Sequence, residues 1–280
     1  MTFTDYITKM LTGQMVNASH NADRDAAQTP DHDKGTQKPF GPTLLAIDTA
    51  STSLATAVLV NGEVKGELFE NMERGQAESL LPFIMQSLRE AELDFADIDG
   101  IAVTVGPGAF TGMRIGLSTA RGLGLARKIP VLGVSSLEAV AYGVSERDHQ
   151  GRNILVALDS KRNEIFAQAF DARKNPISPP ECLGPRQALM LAPPGPTILV
   201  GDATARLLTA AANGGGDFFA GTAPGLPRAG NVARIAAQRW EKGESLAPVP
   251  LYLRAPDAKR MDELAAEKQA KLHGMDPDGE

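Results

Sequence analysis

Two acids that end apolar segments are the first residues in this chain that could do chemistry. Asp48 follows residues 44–47 and Asp159 follows residues 153–158, and a short polar turn comes after each acid. Two such carboxylates facing each other across a cleft could hold a cation and the phosphates of a nucleotide. Alternatively, each carboxylate accepts backbone amides of its own turn. A phosphate-binding hairpin needs a glycine directly after the acid, and neither turn contains one, so the sequence favours the turn-capping role.

A glycine-rich loop at 106–112, with the sequence GPGAFTG, is the second candidate. It follows the apolar run 101–105 and precedes a helical pattern that starts near Met113. Such a loop lets the backbone turn tightly at a helix start, which suits either an anion or another segment packed very close. The loop has neither Gly-Lys-Ser/Thr nor Gly-x-Gly-x-x-Gly spacing, so it is no Walker or dinucleotide motif. Anion capture stays open, and the candidate nucleotide-binding residues are Asp48, Gly106, Gly108, Arg114 and Asp159.

Small residues recur along the helix after this loop, and we call Gly112, Gly116, Ala120 and Gly124 the small-residue strip. Their spacing of four places them along one face of a helix. A glycine inside a helix costs up to about 1 kcal/mol relative to alanine, so the strip needs a compensating reason. Close approach of another helix is the simplest one. The sequence leaves open whether that neighbour is the predicted helix 76–91 of the same chain or a helix of a partner.

Bulk properties exclude several classes of protein. The 280 residues are 42% hydrophobic, which is enough to build a buried core. The net charge of -6 argues against electrostatic binding of nucleic acid, which needs a basic face. A local basic patch would not show in these totals. The single cysteine, Cys182, excludes an internal disulfide and fits a reducing cytosol. No apolar run is long enough to cross a bilayer, so a cytoplasmic location is expected. The four histidines do not share a helix face, so no metal site is expected; they are His20, His32, His149 and His273.

The elements predicted from hydrophobic periodicity occur twice along the chain. An acid-ended strand, a turn, a second strand and a later strand–glycine–helix unit occur at 44–128 and again at 153–212. This repetition predicts a duplicated α/β domain whose two lobes contain mixed sheets flanked by helices. The predicted divisions are a disordered or weakly structured arm, an N-terminal lobe, a smaller C-terminal lobe and a polar, helix-prone tail, at 1–43, 44–145, 146–254 and 255–280. The arm could equally be a leader or the result of a start codon placed too early.

Five segments together resemble the TsaB family, also called YeaZ. They are 45–49, 76–82, 105–116, 133–138 and 250–254, and the block Gly-Pro-Gly-x-Phe-Thr-Gly-x-Arg-x-Gly within 105–116 is the most specific of them. The resemblance covers about 44–254 and is close over 44–138. It implies the actin-like ATPase fold (the ASKHA or ribonuclease H-like fold), in agreement with the duplication predicted from the pattern.

The resemblance also implies a role in tRNA modification. The family's bacterial complex attaches a threonylcarbamoyl group to N6 of the adenosine next to the anticodon. Its catalytic subunit is a larger relative, TsaD, which holds a metal through histidines, and a P-loop protein, TsaE, completes it. TsaB-like chains act as the non-catalytic, dimerising and activating partner of TsaD and meet tRNA indirectly through the complex. Catalytic residues, a metal and an intrinsic cofactor are therefore not expected here, whereas a homodimer and an adenine nucleotide at the subunit interface stay open.

The resemblance places the association surface on the two helices of the first lobe. Carried onto this chain, the predicted interface residues are Gln76, Leu80, Ile84, Gly108, Phe110, Thr111, Gly112, Gly116, Ala120 and Gly124. The first alternative function is a nucleotide phosphohydrolase or kinase that acts alone through Asp48 and Asp159. The second is a glycoprotease-like metallopeptidase, which the scarcity of histidines disfavours.

Overall fold

Two five-stranded sheets form the framework of the protein in a computed structural model that describes residues 41–212 and 214–254. The predictions for the tail at 255–280 and for all but the last residues of the arm lie outside these described residues. The strands of the first sheet are β1 (Leu44–Asp48), β2 (Ser53–Val60), β3 (Glu63–Asn71), β4 (Gly100–Gly106) and β5 (Val131–Ser135). Those of the second are β6 (Asn153–Asp159), β7 (Ile165–Phe170), β8 (Glu181–Leu183), β9 (Thr197–Val200) and β10 (Phe218–Ala220).

The two sheets share one topology. The first has the strand order β3-β2-β1-β4-β5 and the second has the order β8-β7-β6-β9-β10, so β6 takes the place of β1. In each sheet the first three strands along the chain pair antiparallel, and the fourth and fifth add on in parallel. The predicted duplication into two mixed sheets is confirmed.

Helices cover the sheets unevenly. They are α1 (Gln76–Glu90), α2 (Phe110–Arg127), α3 (Ser136–Tyr142), α4 (Glu146–His149), α5 (Pro185–Leu189), α6 (Thr204–Ala211) and α7 (Ala229–Glu241). On one face of the first sheet, Leu80 of α1 and Leu117 of α2 join a buried cluster with Ile47 of β1. The other face packs against α7. All five residues of β1 are buried, because this central strand has helices on both sides.

The position of α7 differs from the predicted domain division. The sequence placed 146–254 in the second lobe, but Val232 and Ala236 of α7 pack against Leu44 and Ala57 of the first sheet. The chain therefore builds the second sheet and then returns to complete the first lobe. Sequence periodicity identified this helix but carried no information about which sheet it covers, since its buried alanines and valine fit either one.

Two segments connect the lobes. Ala139 of α3 packs with the core of the first lobe, whereas Leu137 and Val140 pack with the core of the second. The final described segment does the same: the Leu251 amide donates to the Val105 carbonyl at 2.8 Å, and Leu253 packs against the second lobe. This segment lies beside β4 without forming a regular strand.

The small-residue strip faces the chain's own sheet. A β-carbon placed on Gly112 would lie 2.0 Å from the Thr49 carbonyl oxygen, and one on Gly124 would lie 2.5 Å from a methyl of Val131. A β-carbon on Gly116 would lie 2.5 Å from the Thr49 hydroxyl, and Ala120 is fully buried. The strip thus lets α2 approach the sheet and the turn after β1. The prediction that these four residues meet a partner is wrong for this reason. The helix α1 contributes only at Gly112, where a β-carbon would lie 3.3 Å from the Gln76 side chain, and through the cluster that Ala120 shares with Leu80.

Alanine substitution at two glycines of α2 tests this close approach. We expect Gly112→Ala to lower the free energy of unfolding by about 1–3 kcal/mol, because its β-carbon meets a backbone oxygen that cannot turn away. Gly122→Ala is the matched control, since no atom lies within 4 Å of its β-carbon position, and it should raise stability by up to about 1 kcal/mol. Urea unfolding of both variants measures the difference. Equal effects at the two positions would contradict the packing described here.

Candidate functional site

The glycine loop between β4 and α2 packs against the turn that follows β1. Gly106 has a φ of 100°, and the Gly106–Pro107 peptide bond is cis. The Ala109 amide donates to the Ala50 carbonyl at 2.7 Å, and a β-carbon on Gly108 would lie 2.0 Å from the same oxygen. Of the two roles predicted for this loop, the structure shows close packing, and the other segment belongs to the same chain.

A second contact fixes the start of α2 on this turn. The Thr49 hydroxyl donates to the Gly112 carbonyl at 2.7 Å, and both residues are buried. Together with the Ala109–Ala50 bond, this contact fills the space directly after β1 with main chain. A phosphate bound there would have to displace these bonds, since the amide of Ala109 already has an acceptor.

Asp48 lies at the centre of this region and has no exposed surface. Its carboxylate accepts hydrogen bonds from the Thr104 hydroxyl at 2.6 Å, the Ala50 amide at 3.2 Å and the Ser51 hydroxyl at 3.3 Å. Burial raises the pKa of Asp48 to about 6, against the lowering effect of these three donors. The structure agrees with the turn-capping interpretation, because every observed partner of this acid belongs to its own turn or to β4.

Asp159 occupies the corresponding position after β6 but has different surroundings. Its carboxylate accepts from the Lys161 amide at 2.9 Å and pairs with the Arg206 guanidinium at 3.2 Å. Its own amide donates to Asp202 at 2.7 Å. Each acid therefore bonds within its own lobe, and the described residues show no contact that joins Asp48 to Asp159.

The remaining nucleotide-binding candidate, Arg114, is exposed on the first turns of α2. Its guanidinium carbon lies 3.7 Å from the centre of the Phe110 ring, and its Nε donates to the Tyr252 hydroxyl at 3.2 Å. The two aromatic rings are 5.2 Å apart. Arg114 is therefore not directed toward Asp48 but joins an exposed cluster with two aromatic side chains. This cluster is not predicted from the sequence, because Arg114 and Tyr252 lie 138 residues apart in the chain.

Most of the predicted interface residues are buried within the first lobe. Leu80 and Ile84 belong to its core, and the Gln76 amide nitrogen donates to the carbonyls of Ser51 at 3.0 Å and Ser53 at 2.7 Å. These three residues, like the small-residue strip, cannot offer a surface to a partner in this structure. Among the ten predicted residues, Phe110 and Thr111 are exposed and Gly108 is half-buried.

The exposed side of the same two helices does offer a surface. We call it the outer helical face, and its members are partly buried or exposed: Leu81, Met85, Ile115, Ser118, Gly122 and Leu125. Leu81, Met85 and Ile115 pack against the core cluster to which both α1 and α2 contribute. Leu125 is 81% exposed, and the space around Gly122 is open. Gly122 lets another helix approach the backbone of α2 closely, and the exposed leucine supplies apolar surface for that contact.

Metal-binding and membrane-spanning features are absent from the part of the chain that the structure describes. Within that part, no three side chains of His, Cys, Asp or Glu converge as metal ligands would. His149 is buried, and its Nδ1 accepts the Gly151 amide at 3.1 Å; the other three histidines lie outside the described residues. No helix in 41–212 or 214–254 combines the length and apolarity needed to cross a membrane.

Comparison with known proteins relates the chain to one tRNA-modification family. The family model described as "TsaD: tRNA N6-adenosine threonylcarbamoyltransferase" matches residues 63–212. An uncharacterized protein of Mycobacterium tuberculosis is 33% identical over 223 residues, which cover 78% of this chain and 94% of that protein.

Named relatives match a shorter part of the chain. The tRNA threonylcarbamoyladenosine biosynthesis protein TsaB of Haemophilus influenzae is 36% identical over 124 residues, and that of Escherichia coli is 34% identical over 134 residues. These matches cover 44% and 48% of this chain and span about half of each TsaB protein, 52% and 57% respectively.

A solved structure of YeaZ from Pseudomonas aeruginosa is similar over the whole of its length. It superposes with a TM-score of 0.65 at 27% identity and covers 76% of this chain. The two-sheet topology and this similarity confirm the predicted actin-like fold. On the family model, the relatives and the fold together, the chain belongs to the TsaB (YeaZ) branch of the family that the TsaD model describes.

Proposed function

We propose that this chain acts in tRNA threonylcarbamoyladenosine biosynthesis as the non-catalytic partner that binds and activates TsaD. Membership of the TsaB family and the names of its relatives support the pathway. The observation that carries the non-catalytic role is the packing around Asp48. The acid that a nucleotide-hydrolysing relative would use is fully buried and capped by its own turn.

The glycine loop supports the same conclusion. Its Ala109 amide and the backbone around Gly108 contact the Ala50 carbonyl, where an enzyme of this fold would hold phosphate. The corresponding acid of the second lobe, Asp159, is neutralised by Arg206 at 3.2 Å. A cation therefore has no pair of free carboxylates between the lobes in the described residues.

The outer helical face is the surface that we propose for TsaD. It replaces the small-residue strip, whose residues are buried, and stays on the two helices that the family resemblance indicates. Gly122 lets a partner helix approach the backbone of α2, and Leu125 supplies apolar area that is exposed in the single chain. Dispersion contacts at short distance would then stabilise the complex.

Activation by such a partner works through a shift of populations. Docking on a rigid face can stabilise one arrangement of the lobes of TsaD if that arrangement fits the face better than the others. The chain itself supplies no reacting group in this mechanism. The same exposed face would allow two copies of this chain to associate when TsaD is absent.

Substitution of Gly122 tests the docking face. Gly122→Leu should leave the fold intact or stabilise it by up to about 1 kcal/mol, because leucine favours helix and no atom lies within 4 Å of the β-carbon position. The protruding side chain should weaken association with TsaD by roughly 10- to 100-fold, as expected for overpacking of a close contact. Calorimetric titration of TsaD into each protein measures the affinity.

Ala205→Leu, at an exposed position of α6 in the second lobe, is the matched control and should bind TsaD like the wild type. Unchanged affinity in Gly122→Leu would show that TsaD does not use the outer helical face. A modification assay with TsaD, TsaE and tRNA, with and without this chain, then tests whether binding activates the transferase.

The pH dependence of stability tests whether Asp48 is a structural acid. Its folded-state pKa of about 6 lies above its ordinary value of 3.8, so the folded protein holds this proton more tightly. The resulting stabilisation is complete below about pH 4 and is lost as the pH rises through 6, by up to about 3 kcal/mol. Asp48→Asn keeps the shape without the charge, so it should be more stable than the wild type at pH 7, and the difference should vanish near pH 4. Urea unfolding across this pH range provides the measurement, and a pH-independent difference would contradict the assignment.

Nucleotide binding separates the proposal from a phosphohydrolase or kinase that acts alone. Titration of ATP with Mg²⁺ into the chain should give no heat of binding, because Asp48 and the loop amide at Ala109 are already engaged. Magnesium-dependent binding that is lost in Asp48→Ala would favour the enzyme instead. Metal analysis of the purified chain tests the metallopeptidase alternative in the same way.

A further inference from the structure

A basic flank runs along α2 in a chain that is acidic overall. The helix contains three arginines and no acidic residue, whereas the whole chain has a net charge of -6. Arg114 and Arg121 are both exposed and lie two turns apart on the same side of the helix. Phe110 precedes Arg114 by four residues and therefore lies on that side as well.

Aromatic rings border this basic flank. Phe110 and Tyr252 are each 41% exposed, which is unusual for side chains with so much apolar surface. We call Phe110, Arg114, Arg121 and Tyr252 the aromatic–arginine flank. It is assembled from α2 and from the segment that joins the two lobes, so both helix packing and lobe packing hold it in place.

The arginine at its centre is held in a defined orientation. The guanidinium of Arg114 lies over one face of the Phe110 ring at 3.7 Å, and its Nε donates to the Tyr252 hydroxyl at 3.2 Å. No hydrogen bond from its two terminal nitrogens to any residue in 41–212 or 214–254 is seen. The planar group therefore presents an outward face and two donor nitrogens that are already oriented, which lowers the entropy cost of binding.

The aromatic–arginine flank adjoins the outer helical face, and the two are centred on different sides of α2. At about 100° per residue, Phe110, Arg114 and Arg121 lie within about 40° of one another around α2, while Ile115 and Gly122 point about 100–120° away from their centre. Ser118 and Leu125 lie between these two groups, about 40–60° from the centre of the flank. Ile115 packs on the core together with residues of α1, whereas Arg114 contacts Tyr252 on the other side. One helix thus presents two chemically different surfaces.

We propose that the aromatic–arginine flank binds single-stranded RNA. Unpaired bases stack on aromatic rings and on arginine planes, and arginines pair with the phosphates of the same strand. The flank offers both, since Tyr252 and the outward plane of Arg114 can each take a base while Arg121 lies along the path of the backbone. Paired bases in a duplex expose no such stacking surface, so the flank suits a loop or a single strand.

Charge and shape together favour this ligand over an acidic protein segment. The positive flank complements any polyanion, but a carboxylate is repelled by the negative face of an exposed aromatic ring, whereas a base can stack on it. The choice of RNA over DNA rests on the proposed role in tRNA modification. The binding itself does not require TsaD and can be measured on the full chain alone.

Fluorescence anisotropy with a labelled RNA hairpin that has an unpaired loop tests the proposal. The full chain should bind this hairpin at low salt, and Tyr252→Leu should weaken binding by roughly 5- to 150-fold, the effect of losing one stacked base. Tyr252→Phe keeps the ring and should retain most of the affinity. The double variant R114Q/R121Q should reduce the slope of log affinity against log salt by about 0.7, which corresponds to the one phosphate contact of Arg121 on a single strand, and should also lose the base stacked on Arg114.

Controls separate stacking from general charge and from the association with TsaD. Arg173→Gln removes an exposed arginine of the second lobe and should leave RNA affinity and salt slope close to those of the wild type. All flank variants should bind TsaD normally, so a loss of TsaD binding in them would show that the flank belongs to that interface. Failure of wild-type association with TsaD, with RNA binding intact, would instead count against the proposed function alone.

Three results would overturn the RNA proposal. The first is the absence of hairpin binding by the full chain at low salt. The second is equal affinity for the hairpin RNA annealed to its full complement, which would show charge attraction without stacking. The third is unchanged affinity in Tyr252→Leu, or binding of AMP or a polyglutamate peptide to the flank without binding of the hairpin.

Discussion

The close contact between α2 and the turn after β1 is the constraint on which the rest of the molecule depends. Carbonyl oxygens of Thr49 and Ala50 occupy positions that any side chain at Gly112 or Gly108 would need. Because these positions are bare, the loop reaches the turn, the Ala109 amide bonds to Ala50, and Asp48 is sealed from water. The cost is a buried acid whose pKa is raised, and its three hydrogen bonds offset only part of that cost.

The same contact fixes how the lobes relate to each other. With the start of α2 held on the turn, Phe110 and Arg114 project beside the segment that connects the lobes, and Tyr252 packs against them. That segment is tied to β4 through Leu251 and to the second core through Leu253. Together with α3, which contacts both cores, it joins the lobes by covalent connection and by packing. Because its own backbone fills the space after β1, the surfaces available for binding lie on the outside of the fold.

Local pattern in the sequence predicted the elements and the duplication, since alternation, acid-ended strands and glycine loops are local signals. It did not predict which neighbour an element meets. The small-residue strip shows why: a helix that approaches its own sheet and one that approaches a partner need the same bare positions, so Gly112 and Gly116 fit both. The return of α7 to the first sheet and the contact of Arg114 with Tyr252 join residues far apart in the chain, and a single sequence carries no signal for such contacts.

Different sides of α2 therefore have different roles. The buried side of α2 combines the small-residue strip with Met113, Leu117 and Leu123, whereas Arg114 and Arg121 lie on its exposed sides. One side carries Gly122 and packs toward α1, and the other carries Arg114 and Arg121 beside Tyr252. A partner docked on the first side and a strand bound on the second would be held at a fixed distance and angle, because a helix buried along its length moves as a rigid body. Binding of TsaD would then position RNA relative to the transferase without any reacting group from this chain.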